Sequence, residues 1–489
     1  MVFSPSSVQL PPAPVAPTPQ AVLQQYWGYC QFRPGQEAII QALIDSQDTL
    51  AVLPTGSGKS LCFQIPALCR PGLTLVVSPL IALMEDQVAD LQRRGVAAAA
   101  LHSQRTKVER QAMGRSLPQL KLLYLSPETL LSPAVWSQLL DPQLPLAALI
   151  IDEAHCLAQW GDSFRPAYDR LGAVRSALLA QRPGAVLPIG AFTATADRAT
   201  RQRLVQSLGL VEPKLFVRSP HRPQLELQLQ RVWTPRQRRQ ATLDFLQRQA
   251  GQTAPAAPAA PAAAMPSGLI YVRRRRDSEA LAALCKKQGW RTAAYHGGLT
   301  AAQRREIEQA WLAGAQGGGL AFVICTSAFG MGIDLPTCRW ILHYHLPLLL
   351  SEYVQEIGRA GRDGQPAVAL ALASEPTGWL DPSDRQRNRA FLDRLAEQQR
   401  QALALARQLP PQGSLQQARQ RYPQAALALA LLHRLGQLEW LDPHHYRLRP
   451  ASSQAPANAR LTCGPDPKPM VRYLRQGGDR WQFICQAFE

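Results

Sequence analysis

The segment LPTGSGKS, which begins at Leu53, combines residue types that bind phosphate. Gly56 and Gly58 let the backbone curl so that its N–H groups point inward at an anion. Lys59 can reach the outer phosphates of a nucleoside triphosphate, and the Ser60 hydroxyl can ligate Mg²⁺. The full P-loop pattern has glycine where Leu53 stands, so this segment is a variant that keeps the Gly-Lys-Ser end. The pattern predicts nucleotide binding, against the alternative of a glycine-rich turn with a solvated lysine.

Two adjacent carboxylates, Asp152 and Glu153, directly follow the apolar run 146–151. An apolar run of this length is typical of a central strand in a parallel sheet. A carboxylate at the carboxyl end of such a strand, beside the P-loop strand, lies where Mg²⁺ must be held. The adjacent carboxylate can then orient or deprotonate a water molecule. The alternative, a capped helix start, is disfavoured because a Gly-Lys-Ser sequence precedes it in the chain.

Arg359 and Arg362 lie in the segment 355–364, three positions apart on a predicted helix start, which would place both on one face. The second half of the chain shows no second P-loop sequence. We infer from this difference that the second half contributes arginine to a nucleotide held by the first half.

The elements that must position these residues are predicted to be strands that alternate with helices. Alternation from residue 21 to 212 predicts one doubly wound α/β domain with a parallel sheet. A second α/β domain is predicted over residues 213–376, with a flexible Pro/Ala-rich insertion at 249–267. Residues 1–20 are rich in proline and are predicted to be disordered.

Residues 377–489 are predicted to form a small, mostly helical C-terminal region. The stretch 414–438 has the pattern of two helices separated at Tyr422-Pro423, and 439–448 has the pattern of a short hairpin. That order is typical of a winged-helix-like domain able to grip duplex DNA. A helical packing module is the alternative interpretation.

The charge balance indicates a polyanionic partner. The chain has 53 basic and 35 acidic residues and a formal net charge of +18, which favours nucleic acid. Its nine cysteines include no Cys-x-x-Cys pair, which argues against a disulfide scaffold or a zinc ribbon and for a reducing cytosol. No apolar run approaches the ~18 residues that span a bilayer. We therefore expect a cytoplasmic protein, associated with the nucleoid, that does not enter a membrane.

The sequence DEAHCLAQWGDSFRPAY, which begins at Asp152, resembles the RecQ family of superfamily 2 DNA helicases. An Asp-Glu-Ala-His box that runs into an aromatic-rich loop of this form is hard to find outside RecQ-like proteins. The segments 26–36, 192–196, 326–334 and 355–364 also match the family in order and spacing. The resemblance covers roughly residues 25–375. It implies two tandem RecA-like domains and an ATP-dependent 3′-to-5′ DNA helicase.

The resemblance also implies a role for individual residues. Residues implied to bind ATP or its Mg²⁺ are Tyr29, Arg33, Gln36, Thr55, Gly56, Ser57, Gly58, Lys59, Ser60, Asp152, Gly330, Asp334 and Gln355. Residues implied to contact DNA or to couple it to hydrolysis are Ser78, Pro79, Ser126, His155, Trp160, Phe164, Arg165, Thr193, Thr195 and Thr326. The implied catalytic residues are Lys59, Asp152, Glu153 as base, and Arg359 and Arg362. Of the two arginines, Arg362 is favoured as the arginine finger.

The C-terminal part departs from the family pattern. RecQ proteins usually continue into a helical platform that holds zinc with four cysteines. The segment 477–489 resembles the start of that platform, but Asp479 stands where the first cysteine is expected. His444 and His445 have no cysteine or carboxylate at zinc-finger spacing. We therefore predict no structural zinc.

The resemblance implies a helicase that acts on single-stranded DNA and tailed duplexes in DNA repair or recombination, and no residue pattern identifies a protein partner for it. Three other functions are the alternatives. An RNA-directed helicase of the same superfamily is disfavoured by the aromatic loop at 160–168. A DNA-stimulated ATPase or translocase with weak or no unwinding is credible because the zinc platform is missing. A non-catalytic DNA-binding protein is disfavoured because the lysine, both carboxylates and both arginines are all present.

Replacing Trp160 by alanine tests the coupling role of the aromatic loop. A base stacked on an aromatic side chain contributes about 1–3 kcal/mol, and its contact can reposition the loop that is joined to Glu153. We expect Trp160→Ala to lower the DNA-stimulated ATPase rate far more than the basal rate. Steady-state ATP hydrolysis with and without single-stranded DNA measures both, and equal losses would refute the coupling role.

Overall fold

A computed structural model of the chain describes residues 17–105, 109, 114, 116–158, 165–251, 265–314, 317–329, 337–375, 379–449 and 466–489. Two sheets of parallel strands form two successive lobes, and a small antiparallel sheet lies in the C-terminal region. Apolar cores lie on both faces of each large sheet. The predicted fold class, two doubly wound α/β domains followed by a mostly helical region, is confirmed.

The first lobe contains a sheet of seven strands, all of them paired in parallel. Leu75 and Val77 face one core and Val76 faces the other, so the central strands are apolar throughout. The strands are β1 (Thr49–Val52), β2 (Leu73–Val77), β3 (Ala98–Leu101), β4 (Leu122–Leu125), β5 (Leu146–Ile151), β6 (Ile189–Thr193) and β7 (Lys214–Val217). The helices are α1 (Pro19–Trp27), α2 (Gln36–Ile44), α3 (Leu61–Cys69), α4 (Ile81–Arg93), α5 (Pro127–Leu130), α6 (Pro133–Leu139), α7 (Val174–Ala180) and α8 (Arg198–Leu208), with 3₁₀ turns at Leu117–Gln119, Ala154–Leu157 and Tyr168–Ala173.

The strand order β3-β4-β2-β5-β6-β1-β7 decides which loops meet. The P-loop segment follows β1, the two carboxylates follow β5, and β6 lies between these strands and ends at Thr193. Because all three strands run in parallel, their carboxyl ends lie along one edge of the sheet. The order therefore brings the lysine and the carboxylates of the sequence motifs to the same edge.

Three boundaries differ from those expected from the sequence. The helix Pro235–Gly251 continues into the predicted flexible insertion 249–267, of which residues 252–264 lie outside the described part of the chain. Strand β7 pairs with β1, from Thr49↔Lys214 to Val52↔Val217, so the first sheet extends past residue 212, where the second domain was expected to begin. Helix α1 begins at Pro19, inside the stretch 1–20 that was expected to be disordered, because Thr18 caps the helix and proline is tolerated in its first turn.

The second lobe contains a sheet of six parallel strands. The strands are β8 (Leu225–Val232), β9 (Gly268–Tyr271), β10 (Thr292–Tyr295), β11 (Phe322–Cys325), β12 (Trp340–His343) and β13 (Ala367–Ser374), in the order β10-β11-β9-β12-β13-β8. The helices are α9 (Pro235–Gly251), α10 (Arg275–Lys287), α11 (Ala301–Ala313) and α12 (Leu350–Ile357). Helix α12 leads directly into the segment that carries Arg359 and Arg362.

The C-terminal region contains the predicted two helices followed by a hairpin. Its elements are α13 (Ser383–Ala406), β14 (Gln412–Ser414), α14 (Leu415–Arg421), α15 (Ala425–Arg434), β15 (Leu438–Trp440), β16 (His445–Leu448), α16 (Lys468–Arg475) and α17 (Arg480–Phe488). Met470, Tyr473 and Ile484 of the last two helices belong to a core of the second lobe. Arg434 donates a hydrogen bond of 2.7 Å to Asp169 of the first lobe. The region therefore packs against both lobes.

Membrane-spanning helices and clusters of metal ligands are both absent from the described residues. Within them, no helix is both long enough and apolar enough to cross a membrane. In the same part of the chain, no three His, Cys, Asp or Glu side chains are grouped so that they could hold a metal ion. The absence of structural zinc stays a prediction.

A buried ion pair joins the second lobe to the C-terminal region. Arg238 on α9 and Asp381, just before α13, are both almost completely excluded from solvent. The Arg238 Nε and Nη2 atoms lie 2.9 and 2.6 Å from Asp381 Oδ2. Arg238 Nη1 also donates a hydrogen bond of 2.9 Å to Leu372 O on β13.

Replacing Arg238 by alanine should leave the Asp381 carboxylate buried without its cation. We expect the free energy of unfolding to fall by about 3–5 kcal/mol, measured by urea denaturation. The matched control is Arg239→Ala, because Arg239 is exposed on the same helix. The control should change stability by less than about 0.5 kcal/mol. Equal effects of the two substitutions would contradict the structural role of the pair.

Candidate functional site

The P-loop segment connects β1 to α3 and has the backbone shape that a phosphate requires. Gly56 and Gly58 have φ of 82° and 79°, in the left-handed region that glycine adopts without strain. A Cβ atom on Gly58 would lie 2.5 Å from Gln36 Nε2, so the space there also excludes a side chain. The Ser57 Oγ atom is buried and has no hydrogen-bond partner among the described residues. A curled loop at a helix start with a buried hydroxyl lacking a partner fits the phosphates of a nucleotide.

Two of the residues that the RecQ resemblance assigned to ATP binding support this loop. Gln36 Nε2 donates hydrogen bonds to Ser57 O and Gly58 O at 3.2 and 3.1 Å. Its Oε1 accepts the backbone N–H of Arg33 at 2.9 Å, and Arg33 Nη1 donates to Gly56 O at 2.7 Å. The structure thus brings Arg33 and Gln36 to the P-loop backbone.

Tyr29 and Ser60 are the two further candidate nucleotide ligands of this part of the chain. The Tyr29 side chain is 56% exposed, before α2, and is free to stack on a planar ligand. The Ser60 hydroxyl accepts a hydrogen bond of 3.1 Å from Gln87 Nε2, so a side chain of α4 orients the candidate magnesium ligand.

Lys59 lies between the two carboxylates that the sequence placed beside it. Its Nζ is 2.9 Å from Asp152 Oδ1 and 2.8 Å from Glu153 Oε1. Burial disfavours the charge on the lysine, but the two carboxylates raise its pKa above the ordinary value. Burial also opposes the charge on Glu153, but Lys59 and His155 lower its pKa. The chain therefore holds a protonated lysine and an ionised carboxylate at the place where phosphates and Mg²⁺ are expected.

Glu153 has a backbone conformation that side chains rarely adopt. Its φ is 49°, in the left-handed region, where a residue other than glycine, asparagine or aspartate costs free energy. Such strain persists only where the surrounding structure fixes it, and it is concentrated at functional sites. Here the Glu153 carboxylate is fixed by Lys59 Nζ and by His155 Nδ1, which lies 3.2 Å from its Oε2.

A chain of hydrogen bonds leads from Glu153 to the second lobe. His155 Nδ1 lies 3.0 Å from Thr193 Oγ1, which donates to Thr195 O at 3.3 Å. Gln355 Nε2 on α12 donates to Thr195 Oγ1 at 3.0 Å. The structure thus joins five sequence-selected residues in one path between the lobes.

The two arginines lie in the turn after α12, which ends at Ile357, and not on a helix start as the sequence predicted, because Gly361 between them has a left-handed φ of 62°. Their side chains occupy different positions. The Arg362 Cγ lies 3.8 Å from where a Cβ on Gly56 would stand, so its side chain packs against the P-loop. The Arg359 Nε is buried and has no hydrogen-bond partner among the described residues. The Thr55 hydroxyl donates a hydrogen bond of 2.8 Å to Gly358 O, which brings this arginine-bearing turn to the P-loop.

The candidate DNA contacts lie at strand ends in both lobes. Ser78, which precedes Pro79, has its Oγ 3.5 Å from Asp152 Oδ2, and Ser126 caps α5 by accepting the Thr129 N–H at 3.2 Å. The Thr326 hydroxyl accepts the Ala328 N–H at 3.4 Å. Arg165 has its Nη1 3.7 Å from Glu128 Oε2. The remaining sequence-selected residues, Trp160, Phe164, Gly330 and Asp334, lie outside the described residues.

Sequence reasoning missed a cluster that supports α12. Arg273 donates two hydrogen bonds to the Glu356 carboxylate, at 3.1 and 2.7 Å, and His343 Nε2 lies 2.8 Å from the same group. Burial opposes ionisation of Glu356, but Arg273 and His343 lower its pKa to about 2. Sequence reasoning also missed Arg222, which lies between β7 and β8. A guanidinium in an arginine-rich chain gives no local signal of its partner.

Comparison with known proteins identifies the family. A DEAD/DEAH box helicase model matches residues 33–204, and a helicase conserved C-terminal domain model matches residues 263–364. The chain is 49% identical over 471 residues to the ATP-dependent DNA helicase RecQ of Synechocystis, which covers 96% of this chain and 94% of that protein. The chain belongs to the RecQ family of helicases. The resemblance stated from the sequence is confirmed.

Other RecQ relatives differ in length, while solved structures agree in fold. The chain is 38% identical over 404 residues to the RecQ helicase of Pasteurella multocida, a match that covers 82% of this chain but only 58% of that protein. The helicase Lhr of Mycobacterium smegmatis, bound to single-stranded DNA and AMP-PNP, matches with a TM-score of 0.56 at 18% identity. That match covers 88% of this chain and 60% of Lhr, and at this identity it shows the fold alone. The two lobes are RecA-like, as the RecQ resemblance implied.

His155 makes the stability of the site depend on pH. Burial opposes its charge, but the Cys156 Sγ at 4.0 Å and the Glu153 carboxylate at 3.2 Å raise its pKa from 6.5 to about 10. Because the folded-state pKa lies above the unfolded value, the stabilisation is fully present below pH 6.5. It is lost as the pH rises through about 10.

The His155→Gln variant tests this dependence because glutamine cannot take up the proton. We expect the stability advantage of the wild type over the variant to shrink between pH 6.5 and about 10. Thermal unfolding of both proteins across this window measures the difference. Curves that stay parallel would contradict the raised pKa.

Proposed function

We propose that the chain is an ATP-dependent DNA helicase that couples ATP hydrolysis to 3′-to-5′ movement along single-stranded DNA. The observation that carries the proposal is the contact of the P-loop with the arginine-bearing turn, through Thr55 Oγ1 and Gly358 O at 2.8 Å. Relatives that share the family are named ATP-dependent DNA helicases, which supports ATP and DNA as the ligands. The polarity rests on the RecQ resemblance alone.

In this proposal the P-loop holds the phosphates of ATP. Its backbone N–H groups and Lys59 would bind the outer phosphates, while Ser60 and Asp152 would hold Mg²⁺. When bound, the metal ion neutralises charge that develops on the transferred phosphoryl group. Tyr29, Arg33 and Gln36 would contact the adenine side of the nucleotide, with Thr55, Gly330, Asp334 and Gln355 completing the site.

Glu153 is proposed as the base that orients or deprotonates the attacking water. Its pKa is low in this structure because Lys59 and His155 outweigh the effect of burial. When Lys59 binds a phosphate instead, its direct ion pair with Glu153 is weakened. The carboxylate then gains proton affinity, which improves it as a base at the moment when substrate is present.

Arg362 is proposed as the arginine finger, with Arg359 in a supporting position. The support for this choice is the packing of Arg362 against Gly56. An arginine finger raises the rate of phosphoryl transfer about 10³–10⁵-fold in other enzymes. Because this arginine belongs to the second lobe and the base to the first, alignment of the lobes would control turnover.

DNA is proposed to act through the hydrogen-bonded path from Glu153 to Gln355. His155, Thr193 and Thr195 lie on this path, so movement of the aromatic loop after His155 can change the position of the base. Residues proposed to contact the DNA strand or that loop are Ser78, Pro79, Ser126, Trp160, Phe164, Arg165 and Thr326. The family resemblance supports a role in DNA repair or recombination at the nucleoid.

A translocase that does not unwind duplex DNA is the second candidate. Asp479, at the place expected for the first zinc-binding cysteine, accepts the N–H groups of Trp481 and Gln482 at 2.8 and 3.3 Å. Its carboxylate therefore serves as the cap of α17. Without that zinc-binding cysteine, the two lobes could still hydrolyse ATP and move along DNA. The zinc platform would then not be available to help separate the strands of a duplex.

Strand displacement on tailed duplexes tests the proposed activity. We expect displacement from a duplex with a 3′ single-stranded tail, dependent on ATP and Mg²⁺, and none from a duplex with only a 5′ tail. Lys59→Ala, which removes the phosphate-binding cation, should abolish displacement and ATP hydrolysis while DNA binding at low salt stays measurable. Gel separation of labelled strands and phosphate release measure the two activities.

Other outcomes would replace the proposal in defined ways. Displacement from the 5′-tailed duplex alone would reverse the polarity. DNA-stimulated hydrolysis without displacement from either duplex would support the translocase. Stronger stimulation by RNA than by DNA would support an RNA-directed helicase.

A further inference from the structure

The segment 218–224, between β7 and β8, connects the two lobes and passes beside the P-loop. The Arg218 N–H donates a hydrogen bond of 3.0 Å to Val52 O at the end of β1, which fixes the start of the segment to the P-loop strand. Downstream, the Leu225 N–H donates to Arg222 O at 3.0 Å as β8 begins. Arg222 therefore lies at the point where the chain passes from one lobe to the other.

The Arg222 guanidinium contacts both halves of the candidate site. It is 9% exposed, and its Nη2 donates hydrogen bonds to the carbonyl oxygen of Thr55 and, at 2.9 Å, to Thr55 Oγ1. Its Nη1 donates a hydrogen bond of 3.2 Å to Ala360 O, between Arg359 and Arg362. One planar group thus binds the P-loop and the arginine-bearing turn.

Two further contacts make this junction tight. Thr55 Oγ1 donates a hydrogen bond to Gly358 O at 2.8 Å. A Cβ atom on Gly358 would lie only 2.8 Å from Thr55 Oγ1, so a side chain is excluded there. Gln224 Nε2 donates to Gly361 O at 2.9 Å. The arginine-bearing turn therefore approaches Thr55 as closely as a backbone without a side chain allows, and the connecting segment holds it there.

We propose that Arg222 is a positioning residue, which holds the P-loop in register with the turn that carries Arg359 and Arg362. The inference rests on the proposed function, because its effect is expressed through ATP hydrolysis. The contacts named above join Arg222 to protein oxygens, so its role is to place other groups. Its planar fork of donors suits two oxygens on different segments, whereas a lysine ammonium presents one point charge.

The position of Arg222 on the connecting segment explains how it acts. When the lobes move, groups deep in either lobe travel farther than groups at the connection. Arg222 can keep its contacts with Thr55 and Ala360 while the arginine side chains shift toward or away from the phosphates. DNA-stimulated turnover needs this alignment, whereas the slow basal reaction needs it less.

The Arg222→Lys variant tests the proposal because it keeps the charge and removes the fork. We expect kcat of the DNA-stimulated ATPase to fall about 10–100-fold, the size of effect that a misplaced catalytic group produces. The KM for ATP should stay within about threefold, and the ratio of stimulated to basal rate should fall toward one. The control Arg239→Lys, at an exposed position of α9, should match the wild type.

Thr55 provides an independent test if Arg222→Lys does not fold. Thr55→Val removes the hydroxyl shared by Arg222 and Gly358 and should lower kcat of the DNA-stimulated ATPase, whereas Thr55→Ser keeps the hydroxyl and should retain the wild-type kcat. In the double variant Arg222→Lys/Thr55→Val, the losses in kcat should be less than additive.

Each outcome decides the proposal. Wild-type stimulation in Arg222→Lys would overturn the positioning role while leaving the proposed function intact. Equal losses of basal and stimulated rates, with a lowered Tm, would also overturn it in favour of a structural role. A wild-type chain that shows no DNA-stimulated hydrolysis would overturn the proposed function and this inference together.

Discussion

The contact of Lys59 with Asp152 and Glu153 is the interaction on which the rest of the site depends. Asp152 is buried and Lys59 and Glu153 are largely shielded from solvent, so removing any one of the three side chains would leave a shielded charge without its partner. They can meet because β1 and β5 run in parallel on either side of β6. The strand order of the first lobe therefore decides whether the lysine and the two carboxylates can form one site.

The second lobe completes this edge through backbone contacts as much as through charges. Thr55 reaches Gly358 O, and Gln355 reaches Thr195, so α12 and the turn after it lie against the first lobe. Below them, Arg273 and His343 fix the Glu356 carboxylate of α12 at hydrogen-bond distance. A helix held in this way can present the arginines of the turn that follows it at a defined distance from the P-loop, which is what control by lobe alignment requires.

The C-terminal region adds contacts with both lobes. Tyr473 of α16 lies in a core of the second lobe, and its hydroxyl is 3.2 Å from Tyr353 Oη on α12. Arg201 of the first lobe donates a hydrogen bond of 2.6 Å to Phe488 O at the end of α17. Motion between the lobes must therefore involve this region, although it lies far along the chain from the nucleotide motifs.

The sequence by itself determined the P-loop, the carboxylate pair, the two arginines and the α/β alternation, because each depends on short-range chemistry or periodicity. It did not place β7 in the first sheet, because the short apolar run 215–217 does not by itself indicate which strand it pairs with. Only the tertiary structure decided the partners of Arg222 and Arg273, since these contacts join residues far apart in the chain. The residues next to an arginine in the sequence do not indicate which oxygen its guanidinium binds. The contacts that join the two lobes could therefore be identified only in the tertiary structure.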